Sequence, residues 1–406
     1  MNHNVRKSII LLLFVNIILV VNAPFLHADE EQNVYYELFQ HKKDALISLY
    51  NSSYLATFED YNEAMNYQYT YPLYAYKLLV DCQKIVFFLE YSNSTESEIS
   101  ALIHTVYGKN INTSNLLNQF TISTLSSYEW YSMAEKSLRE ADDFLNIAQT
   151  AFNEDHFSES LPYLISSLSS INKCKDYMDI AQLRNNETQI NSSIIQNVCK
   201  DIAEKWIQLT EGTLKYLESF EETTAITHCR EVLNTSRNDY ENGKYYDSLM
   251  NAAYAKGNAE YLISHPGFTD RENGLTICDT YLGVSKIVLA MVYGESDIDA
   301  PEAELLLEKA VLHLHDAENE SSDGGSMAIS SLCLKESYIC SEQGKAALSL
   351  KNEFITSSLS YEDNSANESM IHNTDEEGPH ENSSIDLFII FLVIGIVLFT
   401  VKKRKK

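Results

Sequence analysis

The spacing of apolar residues constrains this chain more than any other feature. Ala134, Leu138, Ala141, Leu145, Ala148 and Phe152 recur at alternating steps of four and three. Ala303, Leu306, Leu307, Ala310, Val311, Leu314 and Ala317 do the same behind Pro301. Tyr246, Leu249, Met250, Ala253, Gly257 and Tyr261 form a third row, and Ile202, Trp206, Leu209, Thr213, Leu217 and Phe220 read as a fourth. That period puts each row on one face of an α-helix, and one apolar stripe per helix requires helix-on-helix packing. Alternating strand patterns are nearly absent. Thirteen glycines and six prolines in 406 residues are too few for a β-sandwich or a collagen-like repeat. The expectation is an all-α ectodomain over residues 29–359, an irregular array or bundle of helical hairpins.

The two ends predict an address. Arg6 and Lys7 precede an apolar stretch from Ile9 to Val21, and Leu26-His27-Ala28 offers a cleavage site before Asp29. Together these read as a secretory signal over 1–28. Leu387 to Val401 carries no charge and runs into Lys402, Lys403, Arg404, Lys405 and Lys406. A stretch apolar all round that ends in cations reads as one C-terminal transmembrane helix, 385–401, with a basic cytoplasmic tail, 402–406. Both ends then leave the body outside the cell. Between body and anchor, 360–384 holds Glu362, Asp363, Glu368, Asp375, Glu376, Glu377 and Glu381 with no Lys or Arg. It is expected to be a disordered, self-repelling stalk reaching at most about 80 Å.

Charge and motifs exclude more than they assign. Fifty-eight acidic residues against 30 basic ones give a net charge of −28, the opposite of a nucleic-acid binder. Nine Asn-x-Ser/Thr sequons, at Asn51, Asn93, Asn112, Asn186, Asn191, Asn234, Asn319, Asn367 and Asn382, fit an exported chain. The seven cysteines lack Cys-x-x-Cys spacing, so no zinc or redox motif is signalled. Cys333 and Cys340 stand about 10 Å apart on one helix, too far to bridge each other; pairing between helices is left open. His313 and His315, two apart on a helix, cannot share a metal. The tyrosine-rich run around Pro72, from Tyr67 to Tyr76, reads as packing at a helix kink.

A hairpin recurs along the chain. Phe157-Ser-Glu-Ser-Leu161 aligns with Tyr245-Tyr-Asp-Ser-Leu249 at an offset of 88, with Leu145 on Leu233 and Phe152 on Tyr240. At an offset of 96, Tyr61 to Met65 falls on Phe157 to Leu161, Ala45 on Ala141 and Leu49 on Leu145. A fainter copy sets Ala328-Ile329 on Ser248-Leu249. Each unit reads as helix, polar turn (Glu59-Asp60, Asn153 to His156, Glu241 to Lys244), aromatic residue, helix.

With Gly243-Lys244-Tyr245 leading into Tyr245-Tyr-Asp-Ser-Leu249, the hairpin resembles tetratricopeptide units, without their 34-residue period. Leu233 to Ile263, with Ala252-Ala-Tyr-Ala after the turn, is also similar to the helical region of archaeal secreted, membrane-anchored Lon-like proteins. That resemblance implies a signal, helical hairpins and a C-terminal membrane helix, and it raises the question of a serine–lysine protease. Such proteases set their serine in Asp-Gly-Pro-Ser-Ala-Gly; this chain has Asp323-Gly324-Gly325-Ser326-Met327-Ala328 between helical segments. Ser326, with Lys345 and Lys351 following, therefore reads as part of a helix–helix turn, Ser321 to Gly325 being the breaker. No catalytic, cofactor-binding or metal-ligating residue is expected. The reading is a non-enzymatic surface protein that docks a protein partner and binds no nucleic acid, with no small-molecule substrate identified. The alternative is a processing factor or degenerate relative of the Lon-like proteases.

Overall fold

The computed structural model describes residues 34–185, 192–219, 224–264, 267–294 and 298–367. The expected signal at 1–28, most of the expected stalk, the expected membrane helix at 385–401 and the tail at 402–406 fall outside the described residues. Thirteen helices and no strand occur among those described. They are α1 (Val34–Leu49), α2 (Ser52–Leu55), α3 (Glu59–Tyr67), α4 (Pro72–Tyr91), α5 (Glu96–Asn118), α6 (Leu125–Asn153) and α7 (Phe157–Arg184). They continue with α8 (Ser192–Glu218), α9 (Thr224–Glu241), α10 (Tyr245–Ser264), α11 (Arg271–Tyr293), α12 (Pro301–Asn319) and α13 (Asp323–Asn367). The chain divides into two units between Ser357 and Ser358. Helix α13 runs past the expected body boundary at 359, because nothing from Ser358 to Asn367 is a strong helix breaker.

Local chemistry sets several boundaries. Thr95 opens α5 with a reciprocal capping box: the Thr95 N–H donates to Glu98 (2.7 Å) and the Glu98 N–H to Thr95 Oγ1 (3.4 Å). Thr124 and Ser127 do the same for α6. Pro72 and Pro301 sit at first-turn positions, where a missing N–H costs nothing. The tyrosines around Pro72 form a corner between α3 and α4, where a kink was expected. Tyr67 ends α3 and packs edge-on against Tyr71 and Tyr74, while Tyr76 is buried with its hydroxyl on Asp176 (3.0 Å).

The α6–α7 hairpin is the spine. Its stripe Ala134, Leu138, Ala141, Leu145, Ala148 is buried as its spacing predicts. One end of the hairpin joins the core of α1 to α4 through Trp130, Ile180 and Ala181. The far end packs with α5 around Val106, Leu145, Leu164 and Ile171. Leu125 and Tyr128 enter the large core built from α8 to α13. The fourth predicted stripe holds at Ile202, Trp206 and Leu217, which are buried, and fails in its middle. Leu209 is 54% exposed, and Thr210 and Leu214 face inward in its place. Thr210 tolerates burial because its hydroxyl reaches the Trp206 carbonyl (2.8 Å) and the Ala252 carbonyl (3.0 Å).

The offset of 88 is a structural repeat. Asp155 and Gly243 both adopt left-handed backbone, at φ 62° and 76°. His156 N–H donates to the Ala151 carbonyl (2.9 Å) and Asp155 N–H to Phe152 (3.2 Å). Lys244 to Asp239 (2.8 Å) and Gly243 to Tyr240 (3.1 Å) reproduce both bonds, a Schellman closure in each hairpin. The aromatic pair repeats as well: Phe152 and Phe157 meet edge-on at 5.1 Å, Tyr240 and Tyr245 at 5.4 Å. The offset of 96 is not a repeat. Ala45 is exposed and Leu49 is 62% exposed where Ala141 and Leu145 are buried, and Glu59-Asp60 lie in the first turn of α3. The fainter copy fails too, since Ala328 is exposed where Ser248 is buried.

Helix α11 is long and apolar enough to cross a membrane, the one such helix among the described residues. Its Gly274, Cys278, Leu282, Ser285 and Leu289 face is buried within the body. Helix α13 packs against both α10 and α11. Tightest is Gly257 on α10, where an added Cβ would lie 2.6 Å from the Cα of Ile339. Gly257→Ala gains about 1 kcal/mol of helix propensity but forces two backbones apart, an overpacking cost of about 1–3 kcal/mol. We expect net destabilisation in urea unfolding of the variant; a midpoint equal to or above the parent's contradicts this packing.

Candidate functional site

A cleft of about 590 Å³ opens where α4, α6, α7, α9, α10, α12 and α13 converge. Helical spacing delivers its side chains. On α4, Lys77, Asp81 and Lys84 share one face; on α6, Met133, Lys136, Ser137 and Glu140; on α10, Asn251 and Tyr254. Lys173 and Tyr177 enter from α7, His228 and Val232 from α9, Glu302, Leu305 and Leu306 from α12. Gln343 reaches in from α13.

Four ammonium groups against three carboxylates make this lining unusual in a chain with a net charge of −28. They arrive paired: Lys136 with Glu302 (2.9 Å), Lys173 with Glu140 (3.1 Å), and Lys77 (2.6 Å) and Lys84 (3.4 Å) sharing Asp81. The Glu302 carboxylate holds the Lys136 ammonium above its ordinary pKa. Behind it Arg139 pairs with Asp247, whose carboxyl burial pushes up to about 6. Gln343 is almost wholly buried; its Nε2 reaches the Met250 carbonyl (3.4 Å), while its Oε1 has no hydrogen-bond partner.

Beneath the cleft lies a buried polar network centred on Asp299, just ahead of α12. Its carboxylate accepts from Arg184 Nε (2.9 Å) and Nη2 (2.6 Å), from Trp130 Nε1 (2.7 Å) and from the Ser126 hydroxyl. Its N–H donates to Glu129 (2.9 Å) and its carbonyl accepts from Tyr35. Glu129 also accepts from the Ala300 N–H and the Tyr246 hydroxyl (3.3 Å). One turn along α12, Glu304 accepts from Tyr293 (2.6 Å). Glu308 accepts from the Leu73 N–H (3.3 Å) and Tyr74 N–H (2.6 Å), so α12 caps the start of α4. Burial, aided by the Asp299 charge, pushes Glu129 up to about 8; burial pushes Glu304 up to about 7 and Glu308 well above the usual carboxylate range.

None of the charged residues here stands out in the sequence, because at inward positions they merely look like gaps in an apolar stripe. The residues that do stand out there are brought to no common site. Ser326 is fully buried in the first turn of α13, its hydroxyl donating to the Ala317 carbonyl (2.6 Å). Lys345 pairs with Glu342, and Lys351 caps the end of α11 on the Val292 (3.1 Å) and Gly294 carbonyls. His313 is bonded to Glu336 (2.7 Å), which raises its pKa, while His315 is exposed. Among the described residues no cluster of His, Cys, Asp and Glu fits a metal ion.

The raised carboxyl groups couple stability to pH. Glu129 and Glu304 titrate near 4.5 when unfolded and near 8 and 7 when folded. The folded state therefore holds protons more tightly. Its advantage is complete below about pH 4.5 and is lost as pH rises through 7 and 8. Each tenfold gain in proton affinity is worth about 1.4 kcal/mol, so a few kcal/mol are involved. The urea midpoint should fall steadily from pH 5 to pH 9, and Glu129→Gln should remove much of that slope; a midpoint that rises over the interval contradicts the network.

No family model matches the chain, and no curated protein or solved structure matches it.

Proposed function

We propose that this chain is a non-enzymatic binding module displayed at a cell surface, with a signal at its N-terminus, tetratricopeptide-like hairpins in its body and a C-terminal membrane anchor. The observation that carries the reading is the central cleft. Its ammonium and carboxylate groups are already paired, Tyr76, Tyr177 and Tyr254 line it, and a buried amide oxygen is left without a partner. Such a lining suits recognition of a protein partner's polar segment better than bond-making, which needs a nucleophile or base held free and aligned. The setting of Ser326 favours this over descent from a protease: a buried hydroxyl committed to a backbone carbonyl has no room for a substrate. The asparagines of the Asn51, Asn93, Asn112, Asn234 and Asn319 sequons are all exposed, which supports an exterior location.

Two experiments test the proposal. Protease added to intact cells should remove the body and leave the Lys402 to Lys406 end protected; a body resistant to protease until the cells are lysed overturns the surface location. For the cleft, Lys84→Glu and Tyr254→Ser should each weaken partner capture by the tagged full chain at least about tenfold, roughly 1.4 kcal/mol, with the thermal midpoint unchanged. Ser326→Ala should leave capture and cellular phenotype intact. Loss of phenotype in a folded Ser326→Ala protein, with capture indifferent to both cleft variants, would sink the binding reading and promote a protease relative.

A further inference from the structure

We infer that Cys278 and Cys333 form a disulfide that pins α11 to α13 when the chain folds under oxidising conditions. The two helices run parallel at close range, and small residues set the spacing. Gly274 lies opposite Ser330, the Ser285 hydroxyl donates to the Ser337 carbonyl (2.7 Å), and Gly344 abuts Val288. These pairs advance together along both helices, and Cys278 and Cys333 fall between the first two.

Geometry then singles out this pair. The Cys278 thiol donates to the Ser330 carbonyl (2.9 Å), less than one turn before Cys333, and it also interacts with the Cys333 thiol. One turn earlier on α11, a Cβ added at Gly274 would lie 3.6 Å from the Ser330 Cβ. Bridged cysteines hold their Cβ atoms about 3.8 Å apart, so the helices already stand at bridging distance. The other five cysteines are also buried, but they face different groups: Cys174, for example, is 4.0 Å from the Met178 sulfur.

The chemistry balances as thiol–disulfide exchange. One cysteine thiolate attacks an external disulfide and releases one thiol. The second cysteine displaces the other half, so two S–H bonds are lost, one S–S bond forms and the external disulfide is reduced to two thiols. Cys278 and Cys333 are both fully buried in the folded body, so exchange occurs as α11 and α13 come together. An exported chain meets such disulfides in its compartment. The inference is independent of the cleft and its partner, and it rests on the proposed export only for its oxidising compartment.

The test refolds the reduced full chain from denaturant with oxidised glutathione or with excess reductant, blocks free thiols with iodoacetamide and maps peptides by mass spectrometry. The oxidised sample should contain a peptide pair joined through Cys278 and Cys333, lighter by two hydrogens than its reduced form. Its thermal midpoint should exceed that of the reduced sample by roughly 5 °C or more. Cys278→Ser should remove both differences, and Cys199→Ser should keep them. As a second measurement, chain taken from its producing cells is alkylated at lysis without any refolding. Alkylation of both Cys278 and Cys333 in oxidised, folded protein overturns the inference, as does a bridge from either one to another cysteine; a reduced pair confined to the cell-derived chain overturns the export reading instead.

Discussion

Asp299 is the residue on which assembly of the body turns. Its carboxylate gathers Ser126 and Trp130 from α6 and Arg184 from the end of α7, its N–H reaches Glu129, and its carbonyl takes the Tyr35 hydroxyl from α1. A charge withdrawn from water is costly, and attraction to one cation rarely offsets that cost alone. Here both carboxylate oxygens are satisfied, and the Arg184 pair is bidentate, the strongest form such a contact takes. The same contacts explain the backbone beside it. Ala300 adopts φ 45°, left-handed for a residue with a Cβ, at a strain of about 1–2 kcal/mol. Its N–H is held by Glu129, so the network that needs the turn also supports it.

The cleft follows from that assembly. Helix α12 starts at Pro301 directly after the network, and its Glu304 and Glu308 are consumed by Tyr293 and by the first turn of α4. With these two carboxyls turned inward, Glu302 is left on the opposite face, where it meets Lys136. One helix thus presents structural carboxyls to the interior and a paired carboxylate to the cleft. Position along a 3.6-residue helix decides which is which.

Much of the fold was legible in the sequence, because apolar periodicity and turn chemistry are local signals. The stripe on α6 and the turns at Asp155 and Gly243 came through intact. Errors arose where polar residues are buried or apolar ones exposed. Thr210 looks like a solvent residue until its hydroxyl finds two carbonyls, and Leu209 looks like core until Thr210 takes its place. Lys42, almost wholly buried on Asp176, is equally silent in a hydropathy pattern. The cleft was not legible at all. Its lysines and carboxylates come from helices far apart in the chain, and only the packing shows that they face one another.

The two matched hairpins separate what is local from what is not. Both close with a left-handed residue at the same position, the same pair of carbonyl bonds and the same edge-on aromatic contact, so the turn is encoded within a few residues. Their surroundings differ entirely. The α6–α7 hairpin is covered near its tip by α5 through Leu102, Ile103 and Val106, ordinary apolar packing that sets no narrow limit on helix distance. The α9–α10 hairpin meets α13 instead, and there Gly257 lets the backbone of Ile339 approach to a distance no side chain would allow. The Lys256 ammonium beside it joins Glu342 on α13 (2.6 Å), fixing the register of the approach. A repeated supersecondary unit is thus turned to two different partners by changes at its flanks, which explains why the repeat leaves no regular array around it.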